Sequence, residues 1–310
     1  MPGSTPAGTP GHGLAVLALL TNAFIWGVAW WPLRWLQEHG LHPLWATAVV
    51  HGSAALMLTL WAPRAWRELL GSRALRSMVL IAGTATVSFN VAMTLGDVVR
   101  AILLFYLMPL WAVLLARWLL HEPLTRLSLA RIALALAGAA IVLWPASGGL
   151  PLPRSVPEAL AVLGGLAFAL NNVMVRREAQ RSMQARTLAM FTGGATMSVL
   201  AAVPLGVLGL VPAPPSAPGA WLPGALVLAV VFLYGNLALQ YGASRLPAGV
   251  TAVVMVSEVL FAAVSAIALG AGKADARVLV GGGLIIAAAL LAARRSGPVA
   301  SRRPPPPAAG

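Results

Sequence analysis

Residues 247–271 read PAGVTAVVMVSEVLFAAVSAIALGA, with a single charged side chain, Glu258, near the middle. About 20 apolar residues in a helix cross the ~30 Å hydrocarbon core of a bilayer, so this stretch is long enough to span one. The rest of the chain has the same character. It is 310 residues long, 59% hydrophobic and 9% charged, with a mean hydropathy of +0.84. Soluble domains carry roughly 25% charged residues. A chain of this size cannot hide so much apolar surface in water, and the composition excludes a soluble globular protein.

Ten such apolar blocks follow one another. They run about Gly13–Trp31, His42–Ala62, Met78–Leu95, Ala101–Leu120, Leu127–Pro145, Ala159–Val175, Thr187–Leu208, Trp221–Tyr241, Pro247–Ala271 and Val278–Ala293. Backbone groups facing lipid need internal partners, which makes these blocks helices. The alternation of a β-barrel is missing. The expected fold is an all-α membrane protein of ten transmembrane helices, arranged as two inverted five-helix repeats around a central cavity. The expected organisation is a flexible leader at 1–12, a first repeat at 13–146, an outer linker at 147–157, a second repeat at 158–294 and a disordered tail at 295–310. The leader has no basic region or cleavage site of a signal peptide, and the tail SGPVASRRPPPPAAG is too rich in proline to pack.

The net charge is +13, and there is no cysteine. The basic residues fall in loops between apolar blocks, so the positive-inside rule explains them and a nucleic-acid partner is not expected. Most of the 21 fall on one side when both chain ends are placed in the cytoplasm of a bacterial-type inner membrane. The two halves also align at an offset of 150. MPLWAVLLARWLLHEPL (108–124) lies over EVLFAAVSAIALGAGKA (258–274), matching Ala112 with Ala262 and Leu119 with Leu269. Leu134, Ala137 and Ala139 match Leu284, Ala287 and Ala289. Five spans per copy is an odd number, so the second copy enters from the opposite side, as in many secondary transporters.

With these motifs in place, the chain resembles the drug/metabolite transporter superfamily, in its ten-span branch with two EamA-type repeats. Pro109 and Glu122 look like that family's P-x12-E, and FIWGVAWWPLRW (24–35) resembles its W-G motif. SEVLFAA (257–263) stands where the family often reads E-P-V-F-A-A. Val259 replaces the proline, and Gly272 occupies the place of a second glutamate matching Glu122. The resemblance implies transport of small metabolites, with efflux or exchange as the direction. It also implies that spans 1, 3, 4, 6, 8 and 9 surround the cavity, with spans 5 and 10 at its rim.

An ionised carboxylate at the centre of a bilayer is costly, and such residues usually serve ions, protons or cargo. Two roles fit Glu258: a proton acceptor or partner of a substrate ammonium group, and a protonated carboxyl bonding a neighbouring helix. Asn22, Trp26 and Trp30 recur every four residues and share a helix face. Asn22 and Trp26 suit a binding surface, Trp31 and Trp35 suit anchoring at the headgroups, and Trp30 suits either. Thr84, Ser88, Asn90, Tyr106, Asn171, Asn172, Tyr234, Asn236 and Gln240 complete a polar, partly aromatic set. Asn90 and Gln240 are related by the offset of 150. Each of these side chains has a second reading as a helix-to-helix hydrogen bond. The set contains no Lys or Arg at mid-depth, which argues against multiply phosphorylated cargo.

Asp97 and Arg100 form a candidate outer gate, or Asp97 caps a helix start. His51 suits a proton relay or, better, a buried structural bond. Glu38, His39 and His42 cluster at the outer end without enough ligands for a metal centre. Gly164–Gly165 and the run 281–283 permit close helix contact, and a homodimer surface is one use of it. No HExxH or GxSxG motif appears. No cofactor or metal is expected; the partners are membrane lipid and a small-molecule substrate, such as an amino acid or an amphipathic amine. The reading is a secondary transporter working by alternating access. An intramembrane enzyme and a receptor or scaffold are the alternatives.

Overall fold

The computed structural model describes residues 10–96, 98–144, 152–271 and 276–293. Residues 1–9, the 147–151 part of the linker and the tail at 295–310 lie outside these. In chain order the helices are α1 (Pro10–Val28), α2 (Trp30–Glu38), α3 (Pro43–Trp61), α4 (Arg64–Gly71) and α5 (Arg73–Leu95). Then come α6 (Val98–Phe105), α7 (Met108–Leu119), α8 (Arg126–Leu143), α9 (Val156–Arg177) and α10 (Met183–Val207). After a single 3-10 turn, Pro218–Ala220, follow α11 (Leu222–Ala243), α12 (Ala248–Met255), α13 (Ser257–Ala268) and α14 (Ala276–Ala293). Among the described residues there is no strand. Among the described residues nine segments are long and apolar enough to cross a membrane, and Ala276–Ala292 is a shorter apolar helix.

Side-chain caps set many of the helix starts. Ser72, Thr125, Ser155 and Ser182 accept the backbone N–H of Leu75, Ser128, Glu158 and Ala185, and His42 Nδ1 accepts that of Leu44. These bonds satisfy donors that the first helical turn leaves unpaired. α13 ends on Gly270, at φ 73°, with the Ala271 N–H reaching back to the Ala266 carbonyl. That backbone conformation suits glycine.

Three spans expected to be continuous are broken. The first is interrupted at Ala29, between α1 and α2, where the Ala29 N–H turns to the Trp26 carbonyl. Pro32 has no N–H to offer the Val28 carbonyl four residues earlier, which ends the regular ladder. The fourth breaks at Tyr106–Leu107, where Pro109 leaves the Phe105 carbonyl without its helical donor. The ninth breaks at Val256 without a proline; there the bonds tighten, with the Val259 N–H on the Val256 carbonyl. The first span also extends to Glu38, beyond its expected end at Trp31. α4 forms where only a loop was expected, because eight residues with three charges give no hydropathy signal.

Helix bounds recur at the offset of 150. α6 (98–105) corresponds to α12 (248–255), and α8 (126–143) to α14 (276–293). The contacts recur as well. α9 packs on α5, α6 and α7, while α1 packs on the corresponding α11, α12 and α13. α3 packs along α10, and α8 along α14. Glycines allow the tightest crossings. A Cβ on Gly83 would meet the Gly193 carbonyl at 2.6 Å, and one on Gly138 would meet the Gly281 carbonyl at 2.6 Å. Gly164, Gly165 and Gly281 are thus used inside one chain.

The loops after α3, α7, α9 and α11 share one end of the bundle, which carries many of the arginines and is called the arginine-rich end below. There Glu68 of α4 accepts both the N–H and the hydroxyl of Ser182. Tight crossing at Gly193 predicts that Gly193→Ala, which drives a methyl into the Val79 carbonyl, lowers stability by about 1–3 kcal/mol. Gly283→Ala, which meets open space, leaves the melting temperature unchanged or slightly raised. A thermal melt of both purified variants checks the contrast.

Candidate functional site

Glu258 is the middle residue of the 21-residue span Ala248–Ala268 and lies in the first turn of α13. The break at Val256 puts it there. α1 crosses this turn at Gly27, where a Cβ would meet the Phe261 Cβ at 2.6 Å and the Glu258 carbonyl at 2.7 Å. The W-G pair thus has a physical reason: glycine brings α1 against the turn, and Trp26 follows it in. Trp26 stacks on Phe232 of α11 with ring centroids 4.3 Å apart. One turn on, Trp30 donates its indole N–H to Ser265 Oγ at 2.9 Å.

Tyr106 comes from the other break, between α6 and α7. Its side chain is 5% exposed, and its phenol lies beside the Glu258 carboxyl. Two interrupted spans, one from each half of the chain, therefore meet through one phenol–carboxyl pair. Toward the far end, Trp30, Trp31, Arg34, Trp35 and Glu38 line an open cleft with Leu269 and Ala271.

On the arginine-rich side of Glu258 lies a buried set of amides. Asn22, fully buried, donates to Met255 Sδ at 3.4 Å. Asn171, Asn236 and Gln240 donate to one thioether, Met190 Sδ, at 3.4, 3.5 and 2.9 Å. Asn172 is buried beside them on α9. Arg186, 2% exposed, gives its Nε–H to Gln240 Oε1 at 2.9 Å and another N–H to the Glu178 and Arg181 carbonyls. The sequence had placed Arg186 in a loop, and its burial was missed. A guanidinium does reach the amide set from the helix end.

Other expected residues fall elsewhere. Tyr234 is corrected: it is 63% exposed and shares the outward stripe of Val227, Val230 and Val231, so it faces lipid and not the amides. Asn90 bonds Thr47 of α3 at 2.8 Å, which ties helices within its own half. Its counterpart Gln240 bonds α10 in the same manner. Ser88 is buried on α5. His51 is buried between α3 and α10, with Nδ1 3.1 Å from the Thr47 carbonyl and its ring edge-on to Phe191. Asp97 lies outside the described residues. Arg100 has another partner, Glu158 of α9, with Nε–Oε1 at 2.7 Å and a further N–H on the Leu152 carbonyl. The sequence holds the S-x-x-E capping box at 155–158, but a pairing across 58 residues leaves no local trace. Among the described residues no three His, Asp or Glu side chains gather as a metal site.

At the arginine-rich end, Glu122 of the α7–α8 loop accepts the Ala248 N–H at 3.3 Å, capping α12. Arg176 lies near this carboxylate and donates to the Ser244 carbonyl at 2.6 Å. The chain reaches this position through His121, whose φ is 56°, a conformation uncommon outside glycine.

The P-x12-E pair closes α12 with its glutamate and breaks the fourth span with its proline, and its stretch matches a known family in sequence. Residues 13–144 are an EamA-like transporter domain. That family comprises membrane transporters of the drug/metabolite type, and the match covers the first half of the chain. The EamA-like stretch contributes Asn22, Trp26, Tyr106 and Glu122, while Glu258 comes from the half beyond it. A solved crystal structure with 20% sequence identity superposes over 90% of this chain and 96% of its own, with a TM-score of 0.70. At that identity the likeness establishes the fold alone. Among curated proteins none matches in sequence.

Burial pushes the Glu122 carboxyl above the usual carboxylate range, against the opposing pull of Arg176 and the Ala248 N–H. A raised carboxyl binds its proton more tightly in the folded chain. It adds stability below the unfolded value of ~4.3 and loses that contribution as pH rises through its own higher value. Glu122→Gln keeps an acceptor for Ala248 and lacks the titration. The melting temperature of the variant should therefore gain on that of the wild type as pH rises across this window. Parallel curves would contradict the assignment.

Proposed function

We propose that the chain is a secondary transporter that exports or exchanges small metabolites, such as amino acids or amphipathic amines. It works by alternating access across a bacterial-type inner membrane, with both termini cytoplasmic. The two halves act as inverted five-helix repeats, and Glu258 couples transport to a proton or to a cationic cargo.

One observation carries this reading: the Glu258–Tyr106 pair sits where the two interrupted spans meet, at the middle of the ninth span. Interrupted helices near the midplane expose helix ends and unpaired backbone where ions and cargo bind. A carboxyl beside a phenol in that setting can hold a proton or release it to bind a cation. Trp26 and Trp30 provide indole faces beside it for an apolar or cationic group. The arginine-rich end corresponds to the cytoplasmic side. The Arg100–Glu158 pair closes the opposite end, and the Glu122–Ala248 cap with Arg176 closes the arginine-rich one. A carrier that alternates must break one of these sets and keep the other.

Counterflow into proteoliposomes tests the reading. A panel of labelled amino acids and amines should give a hit, with a rate that responds to an imposed pH gradient. Glu258→Gln should remove that response and slow exchange by about tenfold or more, the equivalent of one charge-assisted hydrogen bond. Tyr106→Phe should shift the pH dependence while the protein remains folded. Unchanged rate and unchanged pH dependence in Glu258→Gln would take this residue out of the mechanism.

A further inference from the structure

The buried amides share a consistent orientation. In Asn22, Asn171, Asn236 and Gln240 the NH2 group donates to sulfur. The oxygens of Asn22, Asn171 and Asn236 are buried and have no hydrogen-bond partner among the described residues. The hydroxyls of Thr187 and Thr251, one turn before Met190 and Met255, are in the same position. Unmet acceptors in a buried site cost free energy unless a ligand supplies the donor.

The amide oxygens belong to neighbouring side chains. Asn171 and Asn236 reach the same Met190 sulfur, which holds both amides around one atom. Asn22 Oδ1 lies 3.5 Å from the position of a Cβ on Gly235, the residue next to Asn236. Asn22 also joins the amides to Met255, the last residue of α12, one turn before Glu258. The N–H groups of Asn22, Asn171 and Asn236 face sulfur, Arg186 bonds Gln240 and two carbonyls, and the Asn172 amide beside them has neither its oxygen nor its NH2 partnered, so unmet oxygens outnumber unmet amide donors here.

We infer that the oxygens of Asn22, Asn171 and Asn236, with the Thr187 and Thr251 hydroxyls, form a binding site for a monovalent cation, either an alkali ion or a primary ammonium group. It rests on the reading of the chain as a transporter, and it names the chemistry the buried chamber selects. Neutral oxygens replace the hydration shell of such an ion without an ion pair. Met255, which Asn22 bonds, is one turn from Glu258.

Binding by the purified full chain tests the inference without any transport assay, so the two readings can fail separately. Melting temperature and calorimetric binding are measured in choline chloride, then with sodium chloride or butylammonium chloride replacing it at constant ionic strength. Stabilisation by sodium assigns a co-transported ion, and stabilisation by butylammonium assigns the cargo's own end; either supports the site. Asn236→Leu and Asn171→Leu should each weaken the binding by about tenfold. Asn236→Asp, which keeps the shape and adds charge, should strengthen it and covers the case in which a leucine variant does not fold. Stabilisation by neither salt, or binding that survives unchanged in Asn171→Leu and Asn236→Asp, overturns the inference. A counterflow hit with no cation binding would leave the transporter reading standing and remove this site.

Discussion

A peptide group inside a bilayer has no water to bond, so every interruption of a helix there must be held by protein. This chain interrupts three spans and holds each break. The Phe105 carbonyl, released by Pro109, lies against Gly165 of α9. The Glu258 carbonyl lies against Gly27 of α1. Both glycines allow an approach that any side chain would block, and both belong to the first span of their half. The breaks and the glycines therefore define one device, built twice, which brings a phenol and a carboxyl together at the centre of the bundle.

The periphery supports that centre in two ways. Crossings of α5 with α10 and of α8 with α14 are backbone-close and leave little room for independent movement. The two ends are fastened by polar contacts instead: Arg100 with Glu158 at one, and Glu122, Arg176, Glu68 and Ser182 at the other. Apolar packing with small residues gives the helices a common framework, while a few charged groups at the ends decide which of them are joined. Such polar contacts exchange readily with water at a membrane surface, in a way that the glycine crossings do not.

Much of this was legible in the sequence. Span number and fold class follow from hydropathy, because a span must be about as long as the membrane is thick. Pro109 and Pro32 were visible, yet the breaks they cause were not anticipated, because helix continuity depends on what accepts the released carbonyl. The break at Val256 has no residue signal at all and is imposed by the crossing of α1. Asn22, Asn171 and Asn236 were readable as polar groups in apolar blocks, and all three are buried. Tyr234 was misread because a phenol suits a lipid-facing stripe as well as a cavity. Arg186 was missed because a charge near a helix end normally turns outward, and only tertiary structure folds it back onto Gln240.

The unequal furnishing of the two halves has an energetic meaning. In a carrier whose halves were identical, the two alternating shapes would be related by exchange of the halves and equally populated. Glu122 caps α12, and at the offset of 150 the sequence has Gly272 in its place. A helix cap contributes roughly 1 kcal/mol, enough to favour one shape by about fivefold at rest. In a carrier that alternates as proposed, a single cap on one half would set a preferred resting side, and with it a bias on where the empty carrier waits for its load.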